Sequence, residues 1–133
     1  MNAVEKLFKI DEGKIKKIEK EITMKLKKLG NEEFTFIVRE VDPEIISEFQ
    51  EGLLEIDGSI AEISGTFNMK ANLIAESCPD VFRNKELLKK FKCPTPIDFM
   101  KKIMTGGEIE KLYDFVQDVN GFTDDKKKKQ KKK

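Results

Sequence analysis

Side chains that could carry out catalysis are scarce in this sequence, although charged ones are plentiful. The 133 residues include no histidine, which removes the commonest general base and a common metal ligand. The 25 carboxylates fall mostly on the polar faces of predicted amphipathic helices, where charged groups are usually only solvated. Gly106-Gly107 could suggest a phosphate loop, but the G-x-x-x-x-G-K-[ST] pattern is absent. The sequence therefore predicts no enzyme, with no catalytic, cofactor-binding or metal-binding residue.

The two cysteines, Cys78 and Cys93, could carry thiol chemistry. They lie 15 residues apart and form no C-x-x-C motif. Buried free thiols are the simplest interpretation, because unpaired cysteine is among the most buried residue types. A disulfide or a redox pair is the alternative.

The charge of the chain is distributed unevenly. Residues 123–133 carry seven Lys and two Asp, whereas the other 122 residues carry 19 basic and 23 acidic side chains. A mildly acidic body does not indicate a nucleic-acid-binding domain, so nucleic acid is not an expected partner. The tail has no apolar residue and is predicted to be disordered. Three interpretations of it stay open: salt-sensitive contact with nucleic acid or an acidic partner, ribosomal slippage on an A-rich message at Lys126–Lys129, and solubilisation alone.

Length and composition favour one domain with a real core. The chain is 38% apolar and includes ten Phe. No apolar run approaches the ~20 residues of a membrane span, and the N-terminus lacks a secretory apolar region. The expected location is the cytoplasm, with no membrane partner.

The clearest element signals lie between Asn84 and Phe122, where three helices are predicted in succession. Asn84 is suited to cap the first, because its side chain can accept from free backbone N–H groups. The second begins at Thr95-Pro96, with a hydroxyl cap and a proline at the first helical position. The third begins at Thr105, three residues before Glu108, which is the spacing of a capping box.

The last of these helices has an apolar stripe with the 3.6-residue period of an α-helix. Its members are Ile109, Leu112, Tyr113, Val116 and Val119. Gly121 is predicted to end the helix in a left-handed conformation, with Phe122 folding back on the last turn. Most of the stripe is expected in the core, but some of it could line a partner groove. The candidate partner-binding residues, including four from the tail, are Tyr113, Phe115, Val116, Phe122, Lys126, Lys127, Lys128 and Lys129.

The N-terminal third is harder to interpret. Residues 1–20 are predicted to be an arm, with a short helix or loose segment over residues 1–13 around Val4, Leu7, Phe8 and Ile10. The span 14–29 fits a basic amphipathic helix and also a strand. Gly30-Asn31 is a turn signal, and the residues after it alternate, so we predict a hairpin of Glu21–Lys28 against Glu33–Val41.

The middle of the chain is predicted to be helical. Asp42-Pro43 begins a helix that Gly52 ends. Residues 53–58 are predicted as a connection with a turn at Asp57-Gly58. Ser59 to Glu62 has capping-box spacing, so a further helix is predicted from there to Ser77, bent near Ser64-Gly65 and stopped by Pro79.

The ordered series of these signals resembles the phage tail assembly chaperone family of the XkdN-like type. The matching text is NKELLKKF, then IDFMKKIMTGGEIEKLY, then FVQDVNGF, with a weaker match in KLGNEEFTFIVREVDPEIISEF. The resemblance covers most of residues 21–122 and leaves the arm and the lysine tail outside it. The expected domains are therefore the arm (1–20), a chaperone-like domain (21–122) and the disordered tail (123–133).

The resemblance implies a morphogenesis factor of a long-tailed phage, prophage or phage-tail-like particle, acting in the bacterial host cell. Proteins of this family are thought to bind the tape measure protein, to help recruit tail tube protein and to be absent from the finished particle. Many such genes also yield a longer frameshifted form, a further candidate partner. The alternatives are a structural tail component and a nucleic-acid-associated factor acting through the tail. The expected fold is mainly α (α+β), a helical bundle with a small N-terminal β-hairpin.

Overall fold

The protein folds as a helical bundle against an N-terminal β-hairpin. The structure, a computed structural model, describes residues 2–56, 59–62 and 66–122, with residues 53–56 and 59–62 described by their backbone alone. The helices in these ranges are α1 Ala3–Phe8, α2 Pro43–Gln50, α3 Thr66–Ser77, α4 Pro79–Phe82, α5 Lys85–Lys90, α6 Pro96–Ile103 and α7 Gly106–Val119. The strands are β1 Glu19–Leu26, β2 Glu32–Arg39, β3 Leu53–Ile56 and β4 Ser59–Glu62. The mainly α architecture with a small hairpin is confirmed, and the predicted disorder of 123–133 lies outside the described residues.

The N-terminal hairpin is confirmed, and the alternative of a basic helix over residues 14–29 is wrong. Strands β1 and β2 pair antiparallel from Glu19 opposite Arg39 to Leu26 opposite Glu32. A single 3₁₀ turn at Lys27–Leu29 precedes Gly30 and Asn31, which have φ of 72° and 61°. Glycine and asparagine tolerate this left-handed region better than other residues, which is why the turn forms there. One face of the hairpin is apolar and turns towards the helices: Met24, Leu26, Phe36 and Val38.

The prediction for residues 53–62 is wrong. Leu53–Ile56 is a strand and not a connection, and Ser59–Glu62 is its antiparallel partner and not the start of a helix. Strands on both sides of an Asp-Gly pair form a common hairpin signal, which competed here with the capping-box spacing of Ser59 and Glu62. The turn predicted at Asp57-Gly58 and the bend near Ser64-Gly65 lie outside the described residues. Helix α3 consequently begins at Thr66 and ends, as predicted, at Ser77.

The other predicted helix starts, at Asp42 and from Asn84 onward, are confirmed. The side chains of Asp42, Asn84, Thr95 and Thr105 each accept a bond from a backbone N–H of the first turn that follows. Gly121, at φ 81°, ends α7, and the backbone N–H of Phe122 donates to the Gln117 carbonyl at 2.9 Å. Such local bonds satisfy groups that a helix end would leave without partners.

Two helices organise the packing. Helix α3 contacts α2, α4, α6 and α7, and it is buried on several sides, which agrees with its weakly amphipathic sequence. Helix α7 packs its apolar stripe on α3 and on the hairpin, and all five predicted stripe residues are buried. Polar bonds fix both ends of α7. The N–H of Lys27 donates to the Glu108 carboxylate (3.0 Å), and the N–H of Val41 donates to the Asn120 side-chain oxygen (2.7 Å).

Candidate protein-binding groove

A mostly apolar groove of about 270 Å³ lies between the hairpin and helices α4, α5 and α6. Its floor is fully buried and includes Leu26, Phe36, Phe99 and Ile103. Its walls are half-buried apolar side chains from four separate elements: Leu29, Phe34, Val81, Leu87 and Phe91. Half-buried apolar walls over a buried floor leave apolar surface in contact with water, and covering that surface would be favourable.

Aromatic rings hold the floor of the groove in place. Phe36 stacks on Phe82 with ring centroids 5.9 Å apart, and Phe82 meets the edge of Phe99 at 6.1 Å. Phe91 continues the series, with its centroid 5.4 Å from that of Phe99. These rings come from β2, from α4 and α6, and from the residue that follows α5. Each offset or edge contact adds to the stability that area burial provides.

Three lysines lie near the groove, Lys90 and Lys102 on the helical side and Lys28 in the turn of the hairpin. The ammonium of Lys90 lies 5.5 Å from the centroid of the Phe91 ring. The Lys102 ammonium donates to the Phe91 carbonyl at 2.8 Å, and that of Lys28 donates to the Lys101 carbonyl at 2.8 Å. All three residues are exposed, and Lys90 itself lines the groove.

The N-terminal arm is a second exposed apolar surface. Six of its large apolar side chains are exposed, among them Leu7 at 70% and Phe8 at 84%, and the others are Val4, Ile10, Ile15 and Ile18. Helix α1 has no buried residue. The arm is attached where β1 begins, because the N–H of Ile18 donates to the Glu40 carboxylate at 2.8 Å and its carbonyl accepts from the Glu40 N–H.

The residues predicted to bind a partner do not lie together on one surface. Tyr113 and Val116 are 9% and 0% exposed, and both pack inside the bundle. Burial raises the pKa of Tyr113, whose hydroxyl lies 3.9 Å from the Met69 sulfur. Phe115 is half-buried, and Phe122 is exposed at 50%. Lys126, Lys127, Lys128 and Lys129 lie outside the described residues, and the partner-binding role of all eight stays a prediction.

The groove itself was not predicted. The sequence predicted the helix after Asn84 and the strand within Glu33–Val41. Nothing in the local pattern places these two segments at one groove, because that depends on tertiary packing across some fifty residues of chain. One sequence signal could have indicated a binding surface in this region: the lysine content of the segment from Asn84 to Met104.

Gly106-Gly107 forms the start of α7 inside a complete capping box between Thr105 and Glu108, which confirms the interpretation as a helix start. Within residues 2–56, 59–62 and 66–122 there is no group of three or more His, Cys, Asp or Glu side chains that could hold a metal ion. Across the same ranges, no helix is long and apolar enough to span a membrane.

Both cysteines are buried free thiols, as predicted. Burial raises the pKa of Cys78 to about 12. Because the thiolate is the reactive form, we expect Cys78 to resist alkylation by iodoacetamide at pH 8 in the native protein. Mass spectrometry should show its rapid modification only in about 6 M guanidinium, where burial is lost. Fast native labelling of Cys78 would contradict the packing around α4.

The chain was compared with known families and proteins. The model of a family described as phage XkdN-like tail assembly chaperone protein matches residues 4–132. The match is wider than the resemblance predicted over 21–122 and includes most of the arm and of the tail, while the division into arm, domain and tail stays a prediction. A crystal structure of the protein yqbn is similar, with a TM-score of 0.57 and 20% identity, over 85% of this chain and 93% of that chain. That likeness shows the fold alone. No curated protein matches the sequence.

Proposed function

The chain belongs to the phage XkdN-like tail assembly chaperone family, and from this premise we propose that it binds the tape measure protein, the tail tube protein or both during tail morphogenesis. The groove between the hairpin and α4–α6 is the observation that supports the proposal. It presents apolar surface to water on a well-packed framework, as expected of a site that covers apolar segments of another protein.

The proposed mechanism is transient cover of apolar helices before they assemble. The body of the chaperone carries 19 basic and 23 acidic side chains, so a complex with an apolar partner would stay charged and soluble. Binding of this kind needs no catalysis and no cofactor. The protein would act in the cytoplasm of the bacterial host and would leave before the particle is complete. A longer frameshifted form, produced at the A-rich codons of Lys126–Lys129, would be a further partner.

The test is a pull-down from cells that express the whole tail module. Affinity-tagged full-length protein is compared with a double variant of two groove walls, Phe34→Ser with Leu87→Ser. We expect tape measure or tube protein with the unaltered chain, and at least about fivefold less with the variant, because apolar anchors dominate such interfaces. Mass spectrometry of the bound fraction measures the loss.

The matched control replaces two apolar residues outside the groove, Phe67→Ser with Ile37→Ser. Phe67 is 41% exposed and Ile37 is half-buried, and neither lines the groove, so their loss removes apolar surface and spares the groove. Circular dichroism and thermal melts confirm that each variant folds. The proposal fails if folded, unaltered protein recovers neither tail protein, or if the control loses binding as severely as the groove variant.

Two further readouts separate the rival functions. Finished particles are analysed for the protein, and its presence there would make it a structural tail component. A chain ending at residue 122 is tested alongside the full chain. Recovery that depends on residues 123–133, with a steep fall as salt rises, would move the function to the lysine tail.

A further inference from the structure

The surroundings of the groove differ in charge from the rest of the body. The segment from Asn84 to Met104, which contributes α5 and α6, carries six lysines and two acids. The other residues up to 122 carry 13 basic and 21 acidic side chains and are acidic in sum. The helical side of the groove is thus a basic segment on a folded body whose other residues carry a net negative charge.

Two of these lysines, together with Lys28 from the turn of the hairpin, are placed to meet a bound partner. Lys90 lines the groove, and Lys102 and Lys28 each donate to a backbone carbonyl at or next to it. Within the described part of the chain, none of the three forms a salt bridge, although Lys70 and Arg39 do. Their charges are therefore available to carboxylates that arrive with a ligand.

The surface chemistry of the groove favours a helix as the occupant. The lining is almost entirely apolar, so few backbone N–H or C=O groups face the space. Addition of a strand would need such groups, whereas an amphipathic helix binds by its stripe of apolar side chains. Carboxylates beside that stripe would lie close to the lysine ammonium groups.

The N-terminal arm of a second copy is a poorer match. Its residues 2–18 contain five lysines and three acids, so the arm is itself basic. Like charges would meet at the edge of the groove and oppose docking.

We propose that the groove between the hairpin and α4–α6 selects amphipathic helices that carry Asp or Glu beside their apolar stripe, read by Lys28, Lys90 and Lys102. This rests on the proposed function, because it names the class of segment that the chaperone covers. Long-range attraction between the lysines and the acidic flanks speeds encounter, and the apolar stripe then holds the complex.

The test uses three stapled helical peptides of about 18 residues, a length near the minimum for an isolated helix. They share one apolar stripe and carry Glu, Gln or Lys at the flanking positions. Fluorescence anisotropy with the full-length protein measures Kd at low and high salt. We expect the Glu peptide to bind about tenfold more tightly than the Gln peptide, the Lys peptide to bind most weakly, and the preference to shrink as salt rises.

Lysine substitutions test which side chains produce the preference for the Glu peptide. The triple change Lys28→Gln, Lys90→Gln and Lys102→Gln should reduce the affinity for the Glu peptide to that for the Gln peptide. The matched control Lys16→Gln, Lys17→Gln and Lys111→Gln removes equal charge from exposed sites outside the groove and should preserve the preference. Equal loss in both variants would show a general charge effect and overturn the proposal.

The remaining outcomes separate this inference from the proposed function. Equal binding of all three peptides would overturn the charge selection, while recovery of tail proteins in the pull-down would leave the chaperone function standing. If that pull-down fails while the peptides show a clear preference, the charge selection by the groove stands and the chaperone function fails. If Leu7→Ser with Phe8→Ser strengthens the binding of every peptide, the arm occupies the groove, and the choice of an acidic partner helix is wrong.

Discussion

Replacing Phe82 by alanine should destabilise the fold more than any other change considered for this protein. Phe82 has no exposed surface, stacks on Phe36 of the hairpin and meets the edge of Phe99 in α6. Removing the ring leaves a cavity where the hairpin and the bundle join, and such a change costs about 3–5 kcal/mol in buried sites. Guanidinium denaturation followed by circular dichroism would measure the loss of free energy of unfolding.

A matched aromatic site provides the control. Phe67 lies at the start of α3 and is 41% exposed, so Phe67→Ala should change the free energy of unfolding by less than about 1 kcal/mol. A difference of 2 kcal/mol or more between the two variants is expected from burial. Equal small losses would show that the hairpin and the helices do not depend on this ring cluster.

The Phe82 variant also tests how the groove is built. Phe82 lies beneath the groove floor and touches two of its residues, Phe36 and Phe99, without lining it. We therefore expect the folded fraction of Phe82→Ala to bind tail proteins more weakly, because the floor can shift into the cavity. Phe67→Ala should bind as the unaltered protein does.

Secondary structure was predicted most accurately where the sequence signal was local. Caps such as Asn84 and Thr105 act within one helical turn, so their residue types and spacing suffice to place a helix start. The stripe of α7 was equally clear, because an amphipathic helix repeats its burial pattern every 3.6 residues. Turn chemistry at Gly30 and Asn31 decided between strand and helix for residues 14–29.

Prediction failed where two local signals competed or where distance along the chain was large. Ser59 and Glu62 have capping-box spacing, yet they lie on a strand, since pairing with Leu53–Ile56 was available. Phe34 and Leu87 line the same groove, and no pattern within either segment encodes that arrangement. Val116 illustrates the same limit, because periodicity marked it as apolar but could not distinguish core from partner surface.

Replacing Glu108 by glutamine should also lower the free energy of unfolding, because its carboxylate joins two distant parts of the fold. One of its oxygens accepts from the N–H of Thr105 at 2.8 Å, and the other accepts from the N–H of Lys27, 81 residues away, at 3.0 Å. In Glu108→Gln the amide group faces one of these donors, so one N–H loses its acceptor. A hydrogen bond to a charged group contributes about 1.5–3 kcal/mol, and because both bonds are part-buried, chemical denaturation at pH 7 should show a loss near the lower end of that range.

The same carboxylate gives stability a pH dependence with a defined sign. Burial alone would raise its pKa, but the bonds from the backbone of Thr105 and Lys27 outweigh burial, and the pKa is lowered. The folded state therefore favours the ionised form. Its contribution is fully present above the ordinary Glu pKa, about 4.3, and is lost as pH falls through the lower folded value.

The free-energy gap between unaltered protein and Glu108→Gln should therefore narrow on acidification. Denaturation curves at about pH 7 and pH 3 measure it, on either side of the ordinary Glu pKa. Glu110→Gln on the same helix is the control, because its carboxylate pairs with Lys70 at the surface and is worth at most about 1 kcal/mol. A gap for Glu108→Gln that stays constant with pH would mean that shape, and not charge, fixes α7 to the hairpin. If Glu108→Gln lowers the free energy of unfolding no more than Glu110→Gln does, the bond between Glu108 and Lys27 does not stabilise the packing of α7 on the hairpin.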